Sequence, residues 1–311
     1  MRAAQISGYG GPEVISVSRK AARPTPGDGQ LLVEVRAASL NPVDAALRSG
    51  GMQQMLSLEF PATIGGDFAG TVAEVPADGG GFRVGEEVYG QASALLGGSG
   101  SLAELVAARA DFTARKPKSL DFARAASLPL VGASAVQAIT DHLNVQRGQR
   151  ILIHGAAGGV GSIAVRIAKH LGAHVIATAF SDDLDRVRSL GADEVIDPKT
   201  QAFETLVRDL DGVLDLVRGD TAARSYAVIK RGGVLVSLTA QPDDARMKET
   251  GVRMIAQFTQ PTTERLTKLA GFVDSGVVTP NVERTFPLDQ AAAAYRYFEN
   301  DNPRGKVVVT L

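Results

Sequence analysis

Four glycines fall within seven residues, at Gly155, Gly158, Gly159 and Gly161 of the segment HGAAGGVGS. Backbone without side chains lets an anion come close, and N–H groups at the start of a helix are the donors a diphosphate needs. The spacing is G-x-x-G-x-x-G rather than the G-x-G-x-x-G of dinucleotide sites, so the pattern points to phosphate chemistry without fixing it. On that reading the backbone of Ala157, Gly158, Gly159, Val160 and Gly161 is the cradle. On the other, the segment is a glycine-rich turn of an α/β protein with no ligand. Other chemistry is scarce. The histidines at 142, 154, 170 and 174 bring no carboxylate cluster of the kind a metal site uses. There are no cysteines, which excludes disulfides and thiolate metal sites. No metal site is expected.

The flanks of the glycine turn are those a phosphate-binding unit requires. An apolar run at 151–153 precedes it, and Val160, Ile163, Ala164, Ile167, Ala168 and Leu171 follow at helical spacing. A strand at 174–179 comes about twenty residues on, as a βαβ half demands. From residue 121 onward helices and strands alternate. Strands are expected at 150–154, 174–179, 193–197, 213–217 and 232–239, and helices at 122–127, 132–143, 160–171, 182–190, 202–210 and 220–230. Such alternation predicts a doubly wound parallel sheet. The first 120 residues read as β-rich, with strands at 31–37, 68–75 and 86–89 and a glycine-rich loop at 76–81. After an apolar stretch at 252–258, the tail gives a helix at 262–275, a strand near 282–286, a helix at 288–299 and a last strand at 306–310. It is expected to return and complete the N-terminal unit.

Composition narrows the function. Thirty-three basic against 34 acidic residues leave a formal charge of −1, so no excess of charge points to nucleic acid or an anionic membrane. The apolar runs fall short of a membrane span, and the N-terminus lacks a signal-peptide core. A cytoplasmic location is the expectation.

A set of motifs in fixed order carries a resemblance. They are Asn41-Pro42-Val43-Asp44, Gly65-Gly66-Asp67-Phe68-Ala69-Gly70, Val84-Gly85-Glu86-Glu87-Val88-Tyr89-Gly90, the Gly155–Gly161 turn, the Leu190–Asp197 segment LGADEVID, and Gly305-Lys306-Val307-Val308. Together they resemble the medium-chain dehydrogenase/reductase superfamily, in its zinc-free quinone oxidoreductase (zeta-crystallin-like) branch. The resemblance implies a GroES-like catalytic domain over 1–120, completed by 261–311, and a Rossmann NADP-binding domain over 121–260. Zinc-dependent relatives use a cysteine in the region of Asn41–Asp44 and a histidine where Gly66 stands, so zinc independence is implied here.

The same resemblance implies a nicotinamide cofactor and a quinone or α,β-unsaturated carbonyl as acceptor. NADPH is expected, because the second strand ends at Ala179-Phe180-Ser181 without the carboxylate that would hold a ribose hydroxyl. Ser181 can bond a 2′-phosphate and Arg186 can neutralise it. Asp182 and Asp183 oppose that reading unless they cap the helix. Asn41 is the leading donor to the acceptor's oxygen. Asp44 either donates a proton, which needs a pKa raised by burial, or fixes a turn by backbone hydrogen bonds. Tyr89 either supplies a phenolic proton or is a core tyrosine. Ser134 lies near the nicotinamide or caps a helix. Leu216, Leu238 and Thr239 stand at strand ends, where ligands bind. Gln257 and Phe258 fall where relatives pass the nicotinamide. Arg304 and Lys306 either reach cofactor phosphates or solvate the last strand. The acceptor's wall at Ala45, Ala46 and Leu47 is small, which suits an enone as well as a quinone. Alternatives are an enoyl-thioester reductase and a non-catalytic NADPH-binding protein. A homodimer paired along the sheet edge formed by 232–238 and 252–258 is also expected.

Overall fold

The structure is a computed structural model and describes residues 1–76 and 79–311. The chain divides into two compact units. Unit 1 comprises residues 1–133, 261–274 and 280–311; unit 2 comprises 134–260 and 275–279.

Unit 1 opens with strands β1 (Ala3–Ile6) and β2 (Ile15–Ser18), then β3 (Gln30–Ser39), helix α1 (Pro42–Ser49), β4 (Ala62–Thr63), β5 (Asp67–Glu74), β6 (Glu87–Gln91), β7 (Leu105–Arg109) and β8 (Thr113–Arg115). Helices α2 (Phe122–Ala126) and α3 (Pro129–Val136) follow. Sequence reading located β3, β5, β6 and α2. It passed over β1, β2, β4, β7 and β8, which are short or whose alternation is broken by alanines. The loop expected at 76–81 includes Ala77 and Asp78, which lie outside the described residues. Where the sequence suggests a turn at Asp44, the structure has helix α1. Its start signal is nonetheless present: Asn41 at the N-cap, Pro42 in the first helical position, and the Asp44 carboxylate accepting from the Asn41 backbone N–H at 2.8 Å.

Unit 2 is a six-stranded, all-parallel sheet. Its strands are β9 (Arg150–Ile153), β10 (His174–Thr178), β11 (Glu194–Ile196), β12 (Leu210–Asp215), β13 (Ile229–Ser237) and β14 (Arg253–Ala256). The order β11-β10-β9-β12-β13-β14 reverses direction at β9, the switch point where such sheets bind ligands. The helices are α4 (Gly159–His170), α5 (Leu184–Ser189), α6 (Phe203–Leu206), α7 (Thr221–Ser225) and α8 (Asp244–Thr250).

Three expectations are corrected. The helix at 202–210 stops at Leu206, because Asp209 takes φ 56° and Leu210 already belongs to β12. The helix at 220–230 gives way after Ser225 to a 3-10 turn and then β13, since Tyr226, Val228 and Ile229 are buried in the unit's core. The segment 232–238 is not at the sheet edge: β13 lies between β12 and β14, and β14 alone forms that edge.

The chain then closes unit 1 with α9 (Thr263–Asp274), β15 (Val282–Pro287), α10 (Ala291–Asn300) and β16 (Lys306–Thr310). β16 pairs antiparallel with β3, and the main sheet of unit 1 runs β15-β16-β3-β5-β6-β8, with β7 also on β3. Phe286, Leu288, Ala291, Ala294 and Tyr295 from this returning segment share a core with Ala4, Ile6, Ala38 and Leu40 from the N-terminus. No described helix is long and apolar enough to cross a membrane.

Candidate functional site

In unit 1, strand register assembles a buried polar cluster. Ser39 on β3 stands opposite Asp67 on β5, which stands opposite Gln91 on β6. Asp67 is fully buried and accepts from Ser39 Oγ (3.1 Å), Asn41 Nδ2 (2.8 Å), Gln91 Nε2 (3.0 Å) and the Leu130 N–H (2.9 Å). Lys306, at the start of β16, sends its ammonium inward. Nζ donates to the Leu40 carbonyl at 2.7 Å and to Asn41 Oδ1 at 2.5 Å, and lies 3.7 Å from Asp67. The solvating reading of Lys306 fails: it belongs to this cluster, because the antiparallel pairing of β16 with β3 carries it beside Leu40.

Two carboxylates and one ammonium therefore share a buried space. Burial, with Asp67 nearby, pushes the Asp44 carboxyl up to about 7, while Lys306 pulls the other way. Burial also raises Asp67, against Lys306 and its hydrogen bonds, and lowers Lys306, against both carboxylates. The assignment these directions support is an Asp67–Lys306 ion pair with a proton held on Asp44. Asp44 Oδ2 takes the Asn41 N–H; Oδ1 is buried with no hydrogen-bond partner. Asp44 lines a small cleft with Leu47, Leu58, Thr63 and Ser93. Both readings of Asp44 thus stand together: it fixes the start of α1 and has the environment of a proton carrier. Asn41 is also wholly buried, with one amide hydrogen bonded to Asp67. Tyr89 is a core tyrosine. Its O–H donates to the Leu266 carbonyl at 2.6 Å, and burial raises its pKa far above the ordinary phenol value.

In unit 2, the glycine turn joins β9 to α4. Gly155 adopts φ 70°, and a side chain at Gly161 would stand 2.7 Å from Ala156 Cα, with the Gly155 carbonyl closer still. Gly158 is the N-cap and has room around it. Arg186 reaches this turn: its guanidinium bonds the Ala157 carbonyl, and Nε donates to Asp183 Oδ1 at 3.2 Å. Ser181, Asp182 and Asp183 form a 3-10 turn ahead of α5, and Asp183 takes the N-cap position without a side-chain cap bond. The capping reading of the two acids therefore fails for Asp183, which holds Arg186 instead.

At the far strand ends, Ser134 Oγ and Thr259 Oγ1 are 2.7 Å apart, and Gln257 Nε2 donates to the Ser134 carbonyl at 3.1 Å. Ser134 lies inside α3, so it caps nothing. Gln257 is buried with Oε1 lacking a partner, an acceptor suited to a ligand's N–H. Thr239 Oγ1 donates to the Val217 carbonyl at 2.8 Å, and Asp215, buried at the end of β12, accepts from Ser237 Oγ at 2.8 Å. Leu216 and Leu238 follow directly on β12 and β13. Phe180, Val217 and Phe258, beyond the ends of β10, β12 and β14, are among the few large apolar side chains left exposed. Arg304 lies in unit 1; its carbonyl accepts from Asn281 Nδ2 at 3.1 Å.

His154 has a structural role. It sits between Thr178 Oγ1 (3.2 Å) and Ser225 Oγ (3.1 Å), and burial lowers it to about 3. Sequence reading missed Asp67, Gln91, Asp215 and Ser237. The signal available for Asp67 was an acid inside an otherwise apolar strand.

A zinc ion does not suit the residues present. Among the described residues no group of three His, Cys, Asp or Glu side chains could hold a metal. The Lys306 ammonium already sits among the oxygens, and the Gln91 amide packs against Gly66, 2.5 Å from where a Cβ would be. A dinucleotide suits unit 2, given the turn closed to side chains and the orphaned Gln257 Oε1.

The alcohol dehydrogenase GroES-like domain family matches residues 27–118, and the zinc-binding dehydrogenase family matches residues 190–309. The chain is 37% identical over 317 residues to an NADPH-dependent alkenal/one oxidoreductase of Arabidopsis thaliana, covering 99% of this chain and 79% of that one. A quinone oxidoreductase structure from Coxiella burnetii superposes with a TM-score of 0.88 at 31% identity, covering 100% and 99% of the two chains. The structure of mycobacterial Rv1454c complexed with NADPH gives a TM-score of 0.85 at 29% identity, with both chains fully covered.

Proposed function

We propose that this chain, which belongs to the medium-chain dehydrogenase/reductase superfamily, is an NADPH-dependent, zinc-independent reductase of quinones and α,β-unsaturated carbonyls. The observation that carries this reading is the Gly155–Gly161 turn, where backbone packing excludes a side chain at the start of a helix. When bound, NADPH supplies the hydride. The backbone of 157–161 would hold its pyrophosphate, Ser181 and Arg186 its 2′-phosphate, and Gln257, with Ser134 and Phe258, its nicotinamide end.

Hydride addition leaves negative charge on the acceptor's oxygen, and catalysis then consists of stabilising that charge and delivering a proton. The Asn41 amide N–H side, shared with Asp67 and Asp44, is the donor to that oxygen. Asp44, kept protonated near neutrality by burial, holds a proton beside it. Ala45 and Ala46 offer no aromatic ring for a quinone to stack on, so a 2-alkenal or enone fits as well as a quinone. A homodimer joined along the β14 edge is part of the same proposal, tested by light scattering.

The deciding experiment is a fluorescence titration with NADPH and NADH side by side, followed by NADPH oxidation with a 2-alkenal and with 1,4-benzoquinone. NADPH binding more tightly, with turnover on either acceptor, is the expected result. Failure of NADPH to bind, or loss of activity on treatment with a chelator, overturns the reading.

A further inference from the structure

The reading above leaves Lys306 without a task, yet few side chains in unit 1 are so fully committed. It is a cation with 12% of its side chain exposed, and two separate chain segments supply its oxygens. Leu40 and Asn41 come from the turn before α1, and Asp67 from β5. A flexible, strongly hydrated ammonium is an expensive group to bury unless its position matters. Its contact with Asn41 has a geometric consequence. The ammonium can only donate, so it fixes the Asn41 carboxamide with Oδ1 toward Lys306 and Nδ2 toward Asp67. In that orientation the Nδ2 hydrogens face the two carboxyls, Asp67 at 2.8 Å and Asp44 beside it. With the amide turned over, Lys306 would face N–H groups and Asp67 an oxygen, and both contacts would be repulsive.

Resting on the functional reading given above, we propose that Lys306 is a positioning residue of the reduction. Its ammonium, locked between Asn41 Oδ1, the Leu40 carbonyl and Asp67, holds the Asn41 amide with its N–H side turned toward Asp44 and the oxygen of the acceptor. The charged groups facing Lys306 are Asp67 from β5 and Asp44 from α1. The ammonium therefore also sets how readily Asp44 gives up its proton. No bond to carbon is made or broken by Lys306 itself.

The test is a double-mutant cycle of Lys306→Met and Asn41→Ala, with NADPH affinity by fluorescence, kcat and KM on a 2-alkenal, and the pH profile of kcat. Lys306→Met should lower kcat by about 10- to 100-fold, leave the NADPH Kd within about twofold, and move the pH limb belonging to Asp44 upward. On the Asn41→Ala background the same substitution should cost kcat almost nothing further, because the group it positions is gone. Lys306→Arg, which keeps the charge, should recover part of the loss. It also replaces Lys306→Met in the comparison if that variant fails to fold, with a lowered kcat and unchanged NADPH affinity again the expected result.

Unchanged kcat and pH profile overturn the proposal, as does a tenfold weaker NADPH Kd with kcat intact, which would make Lys306 a cofactor ligand. Equal losses on both backgrounds overturn it too. Wild-type protein that turns over no acceptor would sink the functional reading instead. In that case 13C NMR of labelled lysines still reads the ion pair: a Lys306 signal titrating with the surface lysines overturns the geometry proposed here.

Discussion

Two alanine substitutions, three residues apart in the glycine turn, separate binding from folding. At Gly161 a Cβ would stand 2.7 Å from Ala156 Cα and 3.0 Å from its carbonyl carbon, and nearer still to the Gly155 carbonyl oxygen. All of these are backbone atoms, so no rotamer change relieves the clash and the turn itself must move. Overpacking of this kind costs about 1–3 kcal/mol. At Gly158 the only neighbour of an added Cβ is the Gly155 carbonyl oxygen at 3.4 Å, an ordinary contact, and φ is −74°. Gly158→Ala should therefore fold, losing only about 0.5–1 kcal/mol for alanine at an N-cap. Its methyl group would nonetheless stand at the N-cap, where a pyrophosphate must approach. Losing one hydrogen bond to a charged group costs about 1.5–3 kcal/mol, so the NADPH Kd should rise by roughly 10- to 150-fold. Urea denaturation and NADPH fluorescence titration of both variants read the two effects apart. Gly158→Ala protein that binds NADPH as tightly as the wild type would falsify the cradle. A Gly161→Ala variant as stable as the wild type would refute the packing argument.

Other consequences can be checked directly. Tyr89→Phe removes the buried hydrogen bond to the Leu266 carbonyl, which keeps its helical partner, and should cost about 0.5–1.5 kcal/mol in denaturant unfolding while leaving kcat untouched; a large loss of kcat restores tyrosine as a proton donor. His154, lowered from 6.5 to about 3, binds its proton in the unfolded chain first, so stability falls as pH drops below 6.5. Its share of that loss is about 2 kcal/mol at pH 5, and His154→Gln should flatten the acid side of a melting-temperature profile by that amount. Asp44 acts with the opposite sign. Its carboxyl is raised from 3.8 to about 7, so the folded state keeps a proton the unfolded chain has released, and stability declines as pH rises through that window. Asp44→Asn should remove this decline, and with it the pH limb of kcat near 7. Arg186→Gln should weaken NADPH binding by about 10-fold with little change for NADH, since only the former carries the phosphate that a guanidinium pairs with; equal weakening of both places Arg186 on the turn alone.

The parts of the molecule legible in the sequence are those whose signal is local. The β9–turn–α4 unit could be read because glycine spacing and a 3.6-residue apolar period lie side by side in some twenty residues. Strand β16 and helices α4 and α9 were located nearly to the residue for the same reason. Helices at 202–210 and 220–230 were overextended because helical propensity there yields to burial of Phe203, Tyr226 and Val228 against the sheet. The site divides along the same line. Asn41 and Asp44 share a helix start, and both were singled out. The role of Lys306 was not, because its partner Asn41 is 265 residues away and only the pairing of the last strand with β3 brings them together. Asp67 and Gln91 were hidden by the same kind of distance. What makes them a cluster is the register of β3, β5 and β6, which no local pattern encodes.

The return of the C-terminal strand also dictates an order of assembly. During synthesis the parallel sheet of unit 2 is available whole, while the N-terminal sheet waits with residues 37–39 of β3 unpaired beyond the stretch that β7 covers and the Asp67 carboxylate lacking its counter-ion. Both defects are mended by the same final hexapeptide, since 306–311 brings the strand and the ammonium together. A chain in which β16 fails to dock thus keeps a sticky half-domain carrying a buried, unneutralised charge, so this strand acts as the latch on the sheet folded before it.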